Sequence, residues 1–132
     1  MLRTTAVLVL LLLASAASEP GPPPLPSPVS FNATFSPGVV LQRAPAKAAV
    51  YGMLGDGGQS VSIKVSSSGG ADYSVAATVN GQGWIAYLQP AEASTSTFTI
   101  TATCKGCTNS TPAVLDDVVF GDVWYCAGER LS

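Results

Sequence analysis

The sequence alternates apolar and polar residues over short stretches separated by glycine and proline. Ser60–Ser66 places Val61, Ile63 and Val65 on one side, against Ser60, Ser62 and Lys64. Tyr73, Val75, Ala77 and Val79 share a face, as do Phe98, Ile100 and Ala102 opposite a row of threonines. A period of two is the signature of a strand with one face buried. β-branched threonines suit the other, solvated face. Asn80-Gly81 between Val79 and Trp84-Ile85-Ala86-Tyr87-Leu88 predicts a hairpin, with a two-residue turn or a looser link through Gly83. Gly55-Asp56-Gly57-Gly58 and Ser67-Ser68-Gly69-Gly70 predict two further turns. No apolar stripe of helical period persists for three turns beyond the first residues, so the spacing predicts no helix there. The expected class is all-β, a β-sandwich-like domain over residues 31–115.

The first residues follow a different grammar. Met1-Leu2-Arg3 is basic, Ala6–Leu13 is an unbroken apolar run, and Ala14–Ala17 offers small residues for cleavage. Residues 1–18 are therefore expected to be a secretory signal peptide. The apolar run is too short to cross a bilayer comfortably, and no membrane association is expected after its removal. Residues 19–30 are proline-rich and are expected to be an extended linker.

Charge and composition narrow the function. Without Arg3, five basic residues face eight acidic ones, and no basic cluster exists. Nucleic acid is therefore not an expected partner, because binding it requires neutralising phosphates. The sequence has no histidine. A Ser-His or Cys-His nucleophile pair cannot be built from this chain alone, and zinc sites based on histidine are excluded. No metal site is expected from these residues. Cys104, Cys107 and Cys126 are disulfide candidates in a secreted chain: either a local Cys104–Cys107 turn bridge or a bridge to Cys126, with one thiol left over. A redox or zinc role for Cys104-Lys105-Gly106-Cys107 lacks the following helix or the second ligand pair it would need. Asn32-Ala33-Thr34 and Asn109-Ser110-Thr111 are expected N-glycosylation acceptors at Asn32 and Asn109.

Three stretches together resemble one family. Phe35, Val40, Leu41, Gln42, Arg43, Pro45, Val50 and Gly52 are similar to the opening strands of the sialate O-acetylesterases. Gly83, Trp84, Leu88 and Pro90 resemble that family's Gly-x-Trp-x-x-x-Leu-x-Pro strand. Asp117, Val118, Phe120, Gly121, Asp122, Val123, Trp124, Cys126 and Gly128 resemble its Asp-Val-Leu-Phe-Gly-Asp-Val-Trp-Leu-Cys-Ser-Gly segment. The resemblance implies a secreted or lysosomal hydrolase that removes O-acetyl groups from sialic acids, notably at the 9-hydroxyl, without a cofactor. It implies an N-terminal β-domain followed by an α/β catalytic domain of the SGNH type. Residues 116–132 would then be the truncated start of that domain and supply its first strand. In such enzymes a serine attacks the acetyl carbonyl, a histidine activates it, and backbone donors hold the oxyanion.

The chain departs from the motif at its end. Ala127 replaces the first serine, Glu129 replaces glutamine, and Arg130 occupies the place of the nucleophile. Gly-Glu-Arg can be encoded by a stretch that contains a typical intron start, so Glu129–Ser132 is expected to be intron read-through or mis-splicing, with natural truncation to a secreted β-module as the alternative. The motif remnant is Gly121, Asp122, Trp124, Cys126 and Gly128, and the chain alone is expected to be inactive. Trp124 and Tyr125 are expected to be exposed, and residues 117–132 to promote aggregation. The alternative is a stand-alone secreted β-sandwich that binds a glycan or a protein. The immunoglobulin order of Cys…Trp…Cys is not met, because Trp84 precedes all three cysteines.

Overall fold

The structure, a computed structural model, describes residues 18–21, 28–109 and 111–128. Most of the expected leader, the centre of the proline-rich stretch, Ser110 and the final four residues, Arg130 among them, lie outside these. Among the described residues nine strands form two sheets: β1 (Val29–Phe31), β2 (Val40–Gln42), β3 (Ala49–Leu54), β4 (Ser60–Ser67), β5 (Tyr73–Ala76), β6 (Thr78–Asn80), β7 (Gly83–Tyr87), β8 (Phe98–Lys105) and β9 (Ala113–Gly121). One sheet has the order β1-β3-β7-β6 and the other β2-β9-β8-β4-β5. The fold is an open, all-β sandwich. No helix among the described residues is long and apolar enough to cross a membrane.

The alternation that predicts the strands also builds the core. Val61, Ile63 and Val65 of β4 and Ile100 and Ala102 of β8 are buried, and their polar neighbours face out. Val50, Trp84, Ala86 and Leu88 meet them from the other sheet. Each large aliphatic side chain so buried contributes about 1.5–3 kcal/mol. Gly52 lies between Phe31 on β1 and Trp84 on β7. A Cβ there would run into the Ser30 carbonyl, so glycine is what lets β1 close onto the sheet. The Phe31 and Trp84 rings pack edge to face beside it, centroids 5.5 Å apart.

Three details depart from the sequence expectations, and a fourth decides between two alternatives left open there. The sandwich starts before residue 31: Val29, assigned to the linker, is fully buried in β1. The run Tyr73–Val79 is not one strand. Tyr73–Ala76 pairs with β4 in one sheet and Thr78–Asn80 with β7 in the other, so the chain changes sheets at Ala77. The side-chain period survives this corner, which is why the sequence shows no break. The hairpin is the tight one, with Asn80 opposite Gly83 and Gly81-Gln82 at its centre. Gly81 has φ 61°, so glycine takes the first central position, as in a type II′ turn. Finally, the boundary expected between residues 115 and 116 falls inside β9. Leu115, Val118 and Phe120 belong to the same buried core, so residues up to Gly121 are part of the sandwich.

A bulge makes that last feature possible. Phe98 pairs with Val118 and Ile100 with Leu115, so Asp116 and Asp117 together face the single residue Thr99. Asp117 has φ 56°, a region that aspartate tolerates better than most residues. The extra residue resets the alternation, which is why Leu115 and Val118, three apart, are both buried.

Candidate functional site

The motif remnant emerges from the sandwich at the pairing of β2 with β9. These strands run parallel, with Val40 opposite Val119, Leu41 opposite Phe120 and Gln42 opposite Gly121. Leu41 and Phe120 point into the core. The pairing continues past both strands. The Arg43 backbone N–H donates to the Gly121 carbonyl at 2.9 Å. The Arg43 Nε–H donates to Asp122 Oδ1 at 2.8 Å. The Val123 backbone N–H donates to Gln42 Oε1 at 3.1 Å. Gln42 and Arg43 thus hold the first two residues that follow β9. The Asp122 hydrogen bond, with the charge behind it, raises the Arg43 pKa above its ordinary value.

Beyond this clasp the chain is open to solvent. Trp124 is 84% and Tyr125 93% exposed, so the expected exposure of both holds. Residues 122–128 adopt no regular structure, and the strand that leads into the motif ends at Gly121. Cys126 is free and exposed. The disulfide joins Cys104 and Cys107 across a four-residue turn, with Cα atoms 5.9 Å apart and Gly106 at φ 85°. Of the two pairings open from the sequence, the local one is formed. Gly128 has open space around it.

Two of the carboxylates here have partners. Asp122 holds Arg43, and Asp116 Oδ1 accepts from Thr99 Oγ1 at 3.2 Å. Among the described residues, no three His, Cys, Asp or Glu side chains gather where they could hold a metal ion. The arrangement can position a segment of chain. No described side chain in it is set up as a general base beside a nucleophile.

A groove of about 360 Å³ lies beside the clasp, lined by Phe35, Gln42, Tyr51, Val123 and Tyr125 among others. A second, of about 400 Å³, lies over Tyr51, Trp84 and Ile85. Tyr51 borders both. Asn32 and Asn109 sit in matching turns. Thr34 donates to Asn32 Oδ1 from its backbone N and its hydroxyl, both at 3.1 Å, and Thr111 does the same to Asn109 Oδ1 at 3.0 and 2.8 Å. The sequence does not disclose that Gln42 and Arg43 are the residues that hold Asp122 and Val123. Its one signal is the polar Gln-Arg pair that ends the apolar run Val39-Val40-Leu41. Compared with protein-family models and with curated proteins, the chain matches none.

Proposed function

We propose that this chain is the N-terminal β-sandwich of a secreted or lysosomal sialate O-acetylesterase, and that it launches and orients the segment leading to the nucleophile. One observation carries the reading. Val40–Gln42 and Val119–Gly121, from two of the three resembling stretches, form a parallel strand pair, clasped just beyond it by Arg43–Asp122 and Gln42–Val123. A hinge-point so tied gives the following chain a defined exit from a rigid scaffold, which is what a nucleophile at the next turn requires. O-acetylated sialic acids are the substrates of the whole enzyme in this reading. The chain's own residues, with no histidine, supply the scaffold and not the acyl transfer.

The test is the transcript across Gly128. A message that continues with serine where Arg130 stands, and later encodes the Asp and His of the catalytic set, supports the reading. A message that encodes only Glu-Arg-Leu-Ser and a stop, with no longer form, overturns it. The expressed chain should show no turnover of acetyl esters, and clear turnover would equally defeat the proposal. Retention on a sialoglycan column by the chain alone would favour the stand-alone binding module.

A further inference from the structure

The sequon at Asn32 and the groove beside it belong together. Asn32 follows β1 directly. Its backbone N–H donates to the Tyr51 carbonyl, and its carbonyl accepts from the Phe35 N–H, each at 2.9 Å. Both side-chain bonds of the turn end on Oδ1, so the Nδ2 hydrogens take no part in holding the turn. Asn32 is half-exposed. Thr34, the third residue of the sequon, also lines the groove, and its hydroxyl lies 3.3 Å from the Tyr51 phenol oxygen. Phe35 packs edge to face on Tyr51, centroids 4.9 Å apart. An aromatic wall therefore starts within two side chains of the acceptor nitrogen. A pyranose ring presents C–H bonds whose partial positive charge suits the negative face of such rings. The groove, about 360 Å³, is in the ~300–1,000 Å³ range of small-molecule sites.

We propose that Asn32 carries an N-linked glycan whose first N-acetylhexosamine lies in this groove against Tyr51 and Phe35. In the transfer, Nδ2 bonds to the anomeric carbon of a polyprenyl-diphosphate-linked oligosaccharide. The anomeric C–O bond breaks, the diphosphate leaves with the bonding pair, and a base of the transferase takes one Nδ2 proton. The folded turn then has to accept the product, and it does so because its own hydrogen bonds use oxygen and not nitrogen. The glycan covers apolar surface that the sheet leaves open at Tyr51. The inference rests on the secretory routing of the reading above, since the transfer takes place in that compartment.

The test uses the full chain secreted from eukaryotic cells behind a heterologous leader. Enzymatic removal of Asn-linked glycans should shift the electrophoretic mobility, and Asn32→Gln and Thr34→Ala should each lose one step of that shift independently of Asn109→Gln. In the Asn109→Gln background only the Asn32 glycan remains. Its removal should lower the melting midpoint by about 4 °C, the size expected of one stacking contact in a small domain. Adding Tyr51→Leu, which keeps an apolar side chain but no ring, should abolish that difference. Identical mobility of the wild type and Asn32→Gln overturns the modification. An occupied Asn32 whose removal changes the midpoint equally with and without the Tyr51 ring, or not at all, overturns the seating and leaves the groove to another occupant. Glycosylation behind the heterologous leader, with retention inside the cell behind residues 1–18, defeats the routing and not the groove.

Discussion

Arg43 Nε and Asp122 Oδ1 lie 2.8 Å apart across 79 positions of sequence, at the point where the chain leaves the sandwich. Both side chains are substantially exposed, 40% and 53%. An exposed pair of this kind contributes little to global stability but can direct a local segment. Arg43→Gln together with Gln42→Ala should leave the unfolding midpoint almost unchanged. Amide exchange at Val123, measured by NMR or mass spectrometry, should accelerate severalfold. Molar salt should loosen the Arg43 half of the clasp in the wild type by screening. Unaltered exchange at Val123 in the double variant would show that the exit is held by something else.

The end of the domain is set by β9. A chain stopped after Gly121 keeps Val118 and Phe120 in the core and sheds the exposed Trp124 and Tyr125. It should stay folded and associate less with rising concentration, as read by light scattering. A chain stopped before Asp117 loses both buried side chains and the edge-to-face contact of Phe98 with Phe120, whose centroids are 5.0 Å apart. That loss is about 3–6 kcal/mol, comparable to the whole stability of a small domain, and should abolish the cooperative transition. Of the segment 117–132 that the sequence marks as prone to aggregate, residues up to Gly121 belong to the sandwich, and the exposed Trp124 and Tyr125 lie beyond it.

The bulge offers a local test. Asp117→Val puts a β-branched residue at φ 56° and should destabilise by about 1–2 kcal/mol in urea titration. Asp117→Gly should be close to neutral. Equal losses for the two would mean that the aspartate side chain, and not the backbone angle, is what the position requires.

Alkaline stability should depend on Tyr73. Burial raises its pKa above the ordinary 10.0, an effect partly offset by a hydrogen bond with the Gln89 backbone. The folded state therefore favours the neutral phenol more than the unfolded chain does. The corresponding stability is complete below pH 10.0 and is lost as the pH rises through the higher folded value. Tyr73→Phe cannot ionise and should show a flatter fall in urea midpoint as the pH rises above 10.0. A parallel fall in variant and wild type would remove Tyr73 as the cause.

Strand faces were legible in the runs of unbroken alternation and not across the bulge of β9. Val61, Ile63 and Val65 are buried as their spacing implies, because a strand's side-chain period depends only on backbone geometry. The all-β class followed from the same pattern. The hairpin at Gly81 was legible in place but not in detail, since Asn80-Gly81 serves either a two-residue turn or a longer link. Of the site, the sequence marked out Gly121, Asp122, Trp124 and Cys126 without naming what holds them. Arg43 was visible only as one residue of a resembling stretch.

What the sequence determined by itself is which residues turn inward and where the chain must turn. Alternation, glycine and proline act within a few residues and leave their mark locally. What only the tertiary structure decided is partnership: the change of sheet at Ala77, the parallel pairing of β2 with β9, and the meeting of Arg43 with Asp122. Each depends on which distant strand lies alongside. A period of two specifies the face that a side chain takes and carries no record of its neighbour.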